Sequence, residues 1–327
     1  MNTHPRRFAR RLLGAVAGLA LITAACGSDD SSSSGSSSTD PTVVETTSPE
    51  SAAPDETVDS STVTPSESDG ADQRVVSLSP THTEMMFAIG AGDQLVAVDQ
   101  FSDYPAEAQA LPNELSAFDN NVEAIAAYEP DLVLIGGDFN GLGPQLDELG
   151  IAWWDGPAST TIDDTYRQIE ELGAVTGRDA EADALVASMQ AEIDEIVAAT
   201  PVPTEPLTVF HELDDTLFSL DSTTLFGELY GLLGLGNIAD TAEGDSGGYP
   251  QLNAEFVVSA DPDFIFLADT KCCGQSLDTV AARDGWADMS AVQNGNVIEL
   301  DDDVASRWGP RIVDFLRAVS DAVTAAS

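Results

Sequence analysis

Asn121-Val122-Glu123-Ala124-Ile125-Ala126-Ala127-Tyr128-Glu129-Pro130-Asp131-Leu132-Val133-Leu134-Ile135 has an echo 132 residues on, Asn253-Ala254-Glu255-Phe256-Val257-Val258-Ser259-Ala260-Asp261-Pro262-Asp263-Phe264-Ile265-Phe266-Leu267. In both stretches asparagine stands two residues before a glutamate, and a proline follows that glutamate by seven. Asparagine accepts a hydrogen bond from an unpaired N–H at a helix start. A glutamate in the first turn faces the positive end of the helix. Pro-Asp then stops the helix, and an apolar run begins a buried strand. The same helix-to-strand unit used twice predicts two similar halves. On this evidence Glu123 and Glu255 either stabilise helix starts, by about 0.3–1 kcal/mol each, or present a matched pair of charges to a partner.

Outward from the echo, strand and helix alternate. Arg74 to Leu78 reads as a strand, followed by a helix start at Ser79-Pro80, with capping-box spacing between Thr81 and Glu84. Leu95 to Asp99, Leu132 to Gly136 and Ile151 to Asp155 read as further strands, with helices over Val122 to Tyr128 and Ile162 to Val175. Asp179 to Ala199 has no Gly or Pro, its apolar residues recur at helical spacing, and Pro201 and Pro203 close it. At 1.5 Å per residue it is ~30 Å long, enough for a rod between two lobes. The pattern then restarts with strands at Leu207 to Glu212, Phe264 to Asp269 and Val297 to Leu300, and helices at Leu225 to Leu233 and Pro310 to Ala325. The fold class expected is α/β: two Rossmann-like lobes joined by one long rigid helix, with a cleft between them. The lobes are assigned to 73–178 and 201–327, and the helix to 179–200.

The first 25 residues read as a targeting segment. Arg6, Arg7, Arg10 and Arg11 precede an apolar run from Leu12 to Ala25, which is short for a bilayer span of ~20 residues. Thr23-Ala24-Ala25-Cys26-Gly27 resembles a bacterial lipobox, so Cys26 is expected to carry lipid after cleavage. Residues 26–72 are rich in Ser, Thr, Pro and acids, and cannot bury enough apolar area to fold; they read as a disordered tether. The expected location is outside the cytoplasm, lipid-anchored to the outer face of the cell membrane. The whole chain carries 12 basic and 57 acidic residues, a net charge of −45. Such a surface excludes nucleic acid as a partner and disfavours anionic lipid headgroups and polyanionic ligands.

The sequence has no G-x-G-x-x-G, no P-loop and no H-E-x-x-H. The chain is expected to be no enzyme. His82 and His211 are the only histidines beyond the targeting segment, too few for capture of a bare transition ion. Either is core or an axial haem ligand. Trp153 and Trp154 end a strand and read as core or as reporters of a nearby ligand. Loops after parallel strands open at a ligand crevice. That rule brings Gly136 to Asn140 and Asp269 to Gly274 to the cleft, the second with the chain's one lysine, Lys271, and the adjacent pair Cys272 and Cys273. Outside the cell the two thiols are a candidate vicinal disulfide.

The echoed motif, Val75-Val76-Ser77-Leu78-Ser79-Pro80, Thr83-Glu84 through Gly90-Ala91-Gly92, Ser102-Asp103-Tyr104-Pro105 and Arg307-Trp308-Gly309-Pro310-Arg311 together resemble the iron-siderophore and vitamin B12 class of ABC-transporter substrate-binding proteins. The resemblance covers about residues 73–325. It implies a monomer that captures a metal complex, a ferric siderophore or cobalamin, and passes it to a membrane permease and its ATPase. Glu123 and Glu255 match the glutamates that dock on the permease. Phe101, Phe118 and Tyr249 match pocket aromatics, and Asp303 and Arg307 match a polar pair at the cleft mouth, where Arg307 serves the ligand or a structural ion pair. With Lys271 these are the expected ligand-binding residues. A haem receptor and a surface sensor without transport are the alternatives.

Overall fold

The computed structural model describes residues 72–119, 121–242 and 246–327. The targeting segment, Cys26 and the tether lie outside the described residues.

The first lobe runs β1 (Val75–Ser77), α1 (Pro80–Ala88), β2 (Leu95–Val98), α2 (Val122–Ala126), β3 (Leu132–Ile135), α3 (Leu142–Leu149), β4 (Ala152–Asp155) and α4 (Ile162–Thr176). Its four strands pair in parallel in the order β2-β1-β3-β4. α5 (Asp179–Ala199) follows. The second lobe runs β5 (Thr208–Glu212), α6 (Leu225–Leu232), β6 (Gly236–Asn237), α7 (Ala254–Ala260), β7 (Phe264–Leu267), α8 (Thr270–Cys273), α9 (Leu277–Ala281), α10 (Ser290–Asn294), β8 (Val297–Glu299) and α11 (Ile312–Ala325). Its sheet, β6-β5-β7-β8, is again all parallel and repeats the strand order of the first. The two halves announced by the echo are thus two separate sheets of one topology.

The apolar runs predicted as strands are buried on both faces: β3 and β7 are buried along their whole length, as parallel strands covered by helices must be. α5 packs between α4 and α11. Ala182, Val186, Met189, Ile193 and Ile196 form its buried stripe. They belong to one core cluster that runs from Val75 and Leu134 in the first lobe to Phe264 and Phe266 in the second. The rod is therefore part of a shared core rather than a linker. No helix among the described residues is long and apolar enough to cross a membrane.

Three local expectations are corrected. The N-cap of α1 is Ser79, whose hydroxyl accepts from the His82 N–H, with Pro80 at the first helical position. Thr81 and Glu84 form no capping box, because Glu84 is drawn to two arginines described below. α8 is a turn of helix where a loop was expected, and the two-residue strand β6 carries no sequence signal of its own. Cys272 and Cys273 end α8 as free, exposed thiols. The disulfide expected between them is not formed here. Helical geometry sets successive side chains about 100° apart around the axis, so closing that ring would unwind the turn.

Candidate functional site

Parallel strands all point their C-terminal ends to one edge, and the loops there form a cavity of about 610 Å³. Leu78 to Thr81 enter it after β1, Asp99 after β2, and Gly136 to Asn140 after β3. Phe101, Phe118 and Phe139 stand on its wall. Phe118 is 80% and Phe139 84% exposed, a large apolar area left open to solvent. Phe101 meets Phe118 edge to face, with ring centroids 6.1 Å apart. Gly137 has φ +104°, and a Cβ there would run into the Phe139 ring, so glycine is what lets that ring lie back over its own loop. Asp303, Ser306, Arg307 and Trp308 close the cavity from the second lobe.

Of the residues expected to bind ligand, the cavity brings together Phe101, Phe118, Asp303 and Arg307. Tyr249 and Lys271 are not on its wall. Tyr249 is exposed on the second lobe, its phenol pushed above the ordinary range by burial and by Asp221. Lys271 is exposed too, but its Nζ bridges Asp301 at 2.8 Å and Asp303 at 2.9 Å. It reaches the cavity only through Asp303. Arg307 lines the cavity, yet its guanidinium is taken. Nη1 donates to Glu84 (2.8 Å) and Asp103 (2.9 Å), and Nη2 to Asp303 (2.7 Å) and the Phe101 carbonyl (3.1 Å). The ion-pair alternative for Arg307 is the one the geometry supports.

Asp99 sits at the back of the cavity. Its carboxyl is raised above the ordinary value by burial, although Ser102 Oγ donates to it at 2.6 Å. Ser102 in turn belongs to a hydroxyl chain with Thr83 and Ser77. Neither histidine lines the cavity. His82 packs edge-on to Trp154 and Trp308, and its Nε2 meets Gln168 Oε1 at 3.3 Å; burial lowers its pKa to about 4. His211 Nδ1 meets the Tyr230 hydroxyl at 2.8 Å between Phe226 and Phe315, and burial lowers its pKa to about 3. Both are neutral core residues at physiological pH. Among the described residues no group of three or more His, Cys, Asp or Glu is placed to hold a metal ion.

The two echoed helix starts are built alike. Asn121 Oδ1 accepts from Ala124 N–H at 3.0 Å, and Asn253 Oδ1 accepts from Phe256 N–H at 2.9 Å. Glu123 and Glu255 follow in the first turn, and both are exposed.

Trp308 and Glu84 were not among the residues expected at the site. The indole lines the cavity and donates to Gln168 Oε1 at 3.0 Å. Its signal was present in Arg-Trp-Gly-Pro-Arg, where the flanking arginines drew the attention. Glu84 looked like a helix-start acid and carried no mark of a partner more than two hundred residues away.

The periplasmic binding protein family model matches residues 75–304. An uncharacterized ABC transporter substrate-binding lipoprotein of Bacillus subtilis is 29% identical over 259 residues, covering 77% of this chain and 80% of its own. A vitamin B12-binding protein of Pectobacterium atrosepticum is 31% identical over 252 residues, covering 74% of this chain and 85% of its own. The crystal structure of a periplasmic vitamin B12 binding protein of Vibrio cholerae superposes with a TM-score of 0.64 at 27% identity, covering 78% of this chain and 98% of that one. The chain belongs to the periplasmic binding protein family, and it is a solute-binding protein rather than an enzyme.

Proposed function

We propose that this protein is the substrate-binding subunit of an ABC importer and that its cavity takes a corrinoid, cobalamin. The observation that carries the ligand is the make-up of the cavity wall. Exposed phenylalanines and an indole offer apolar faces to a large flat ring. The charges there are Asp99, Asp138 and Asp303, against one cation, Arg307, whose donors are already bonded. Haem iron takes an axial His, Tyr, Cys or Met, and among the described residues none of these lines the cavity. Haem propionates and ferric catecholates are anionic and would meet carboxylates with no free guanidinium to answer them. Cobalamin brings its own cobalt ligands and a rim of neutral amides, which suits an apolar wall with a few acceptors. The names of the curated relatives agree with this choice.

Trp308 on the wall supplies the signal for the test. Intrinsic fluorescence of the purified protein, checked by calorimetry, is followed against cyanocobalamin, a ferric hydroxamate, a ferric catecholate and haemin. Cyanocobalamin is expected to saturate with one site, and haemin and the catecholate to show no saturable binding. Saturation by haemin or the catecholate alone, or by none of the four, overturns the corrinoid reading.

Cys26 is the proposed lipid attachment point. Cys26→Ser is expected to move the protein from the membrane fraction to the soluble fraction of expressing cells. Equal membrane retention of the two forms would remove the anchor from the account.

A further inference from the structure

The segment Arg307 to Arg311 belongs to the second lobe by its place in the chain, yet its three long side chains are bonded into the first. Trp308 Nε1 donates to Gln168 on α4. Arg307 reaches Glu84 on α1, Asp103 and the carbonyl of Phe101. Arg311 is bidentate on Glu84, with Nε to Oε2 at 2.8 Å and Nη2 to Oε1 at 2.6 Å, and its guanidinium lies 4.2 Å from the centre of the Tyr104 ring. Glu84 is 3% exposed and Arg307 7%. One carboxylate therefore answers two guanidiniums that are largely withdrawn from water, and Asp103 and Asp303 supply the remaining negative charge.

We propose that Glu84 is the positioning residue of the ligand cleft: by holding both Arg307 and Arg311 it fixes the second-lobe segment 307–311 on the first lobe and sets the cleft width before ligand arrives. The inference rests on the cavity being the ligand site. Parting the lobes here would pull apart several charge-assisted hydrogen bonds made at a largely dry seam, stronger contacts than neutral ones. The Phe101 carbonyl is tied into the same network, so the aromatic wall is oriented by it as well. Ligand then meets walls already in place and loses less ordering entropy on binding. Pairs of this burial are screened far less by salt than the acidic surface is.

The test compares amide hydrogen exchange in the ligand-free full chain with and without Glu84→Gln. The expected result is exchange about tenfold faster at residues 99–104 and 306–312, with α5, β5 and β7 unchanged, because only the local opening is made easier. Glu84→Asp, which keeps the charge, is expected to restore part of the protection. If Glu84→Gln does not fold, Asp103→Asn removes one exposed contact of Arg307 and is expected to give the same local pattern at smaller amplitude. In a folded variant, unchanged exchange at both segments overturns the proposal. So does equal acceleration throughout, which would make Glu84 a general stabiliser. A titration arm expects cyanocobalamin to bind Glu84→Gln about tenfold more weakly than the parent, as a wall that must first be ordered reduces affinity. If the parent binds none of the four ligands, the corrinoid reading fails, and the positioning role is then judged on exchange alone.

Discussion

Replacing Glu123 and Glu255 together by alanine is expected to abolish uptake of the ligand while leaving its dissociation constant unchanged. Each glutamate sits in the first turn of a short helix, one per lobe, behind an asparagine cap that the substitution leaves intact. The helix-start charge contributes about 0.3–1 kcal/mol at most, too little to unfold a lobe. Neither residue touches the cavity wall. A permease that answers each carboxylate with a guanidinium loses about 2 kcal/mol or more per contact when the carboxylate goes. Because both contacts are made by one rigid body, the losses compound. Two contacts at that level reduce docking by about a thousandfold. The measurement is uptake of labelled cyanocobalamin by cells carrying either form, beside a titration of the purified proteins. Asp183→Ala with Glu195→Ala, two exposed acids on α5, makes the same change of net charge away from the echo and is expected to leave uptake near the parent level. Parent-level uptake by the double glutamate variant would remove these residues from the docking account.

The same two helix starts show why so much of the fold could be read from the chain. A capping asparagine, a first-turn acid and a Pro-Asp stop act over ten residues, so their meaning is local and survives in any context. α5 begins and ends where the sequence reading put it, because 21 residues without Gly or Pro carry a complete helical stripe and prolines close it. Strands buried on both faces are continuous apolar runs, and Leu132 to Ile135 and Phe264 to Leu267 could hardly be anything else. Of the two loops that the rule brought to the cleft, Gly136 to Asn140 line the cavity, whereas Asp269 to Gly274 do not and reach it only through the bond of Lys271 to Asp303.

What could not be read depends on partners far away in the chain. Glu84 lies at capping-box spacing from Thr81, and the local signal pointed to a helix cap. Its actual partners are 223 and 227 residues distant, and no pattern along the chain marks such a pair. Arg307 looked available to a ligand for the same reason: four acceptors that occupy it come from three separate segments. Lys271, the one lysine of the chain, looked like a local focus of positive charge. Asp301 and Asp303 neutralise it. In a chain so rich in acids, cations are expected to be claimed by neighbours before any ligand arrives.

That excess of acids has one buried consequence at the end of β7. Asp269 is fully buried, its carboxylate oxygens meet no donor in the structure, and the group close enough to share its proton is the carboxylate of Glu212. Glu212, at the end of the adjacent β5, is buried too and is held by Arg283 at 2.5 and 2.6 Å. Burial first, and then the charge of Glu212, raise the Asp269 carboxyl to about 7, with Arg283 working the other way. The sign of the effect on stability follows. The folded protein holds this proton more tightly than the unfolded chain, whose aspartate titrates near 4. Below that value both states are protonated and nothing is lost. Between about 4 and about 7 the unfolded chain has released the proton and the folded one has not, so stability falls as pH rises. Above about 7 the loss is complete and constant. Asp269→Asn keeps the shape of the neutral acid and cannot ionise. It is therefore expected to stabilise the protein on the order of 2–4 kcal/mol at pH 8 and hardly at all at pH 4. Urea unfolding of both forms at the two pH values reads this difference directly, and taking variant against parent cancels the general repulsion of the acidic surface. An equal gain at both values would show that the effect does not come from the Asp269 proton, and a loss at pH 8 would show that Asp269 is charged and satisfied at the strand end. The expected result has a structural reach beyond the strand. The Asp269 carbonyl accepts from the N–H groups of Cys273 and Gln275 and so holds the α8 turn, whose Lys271 bonds Asp303 on the cavity wall.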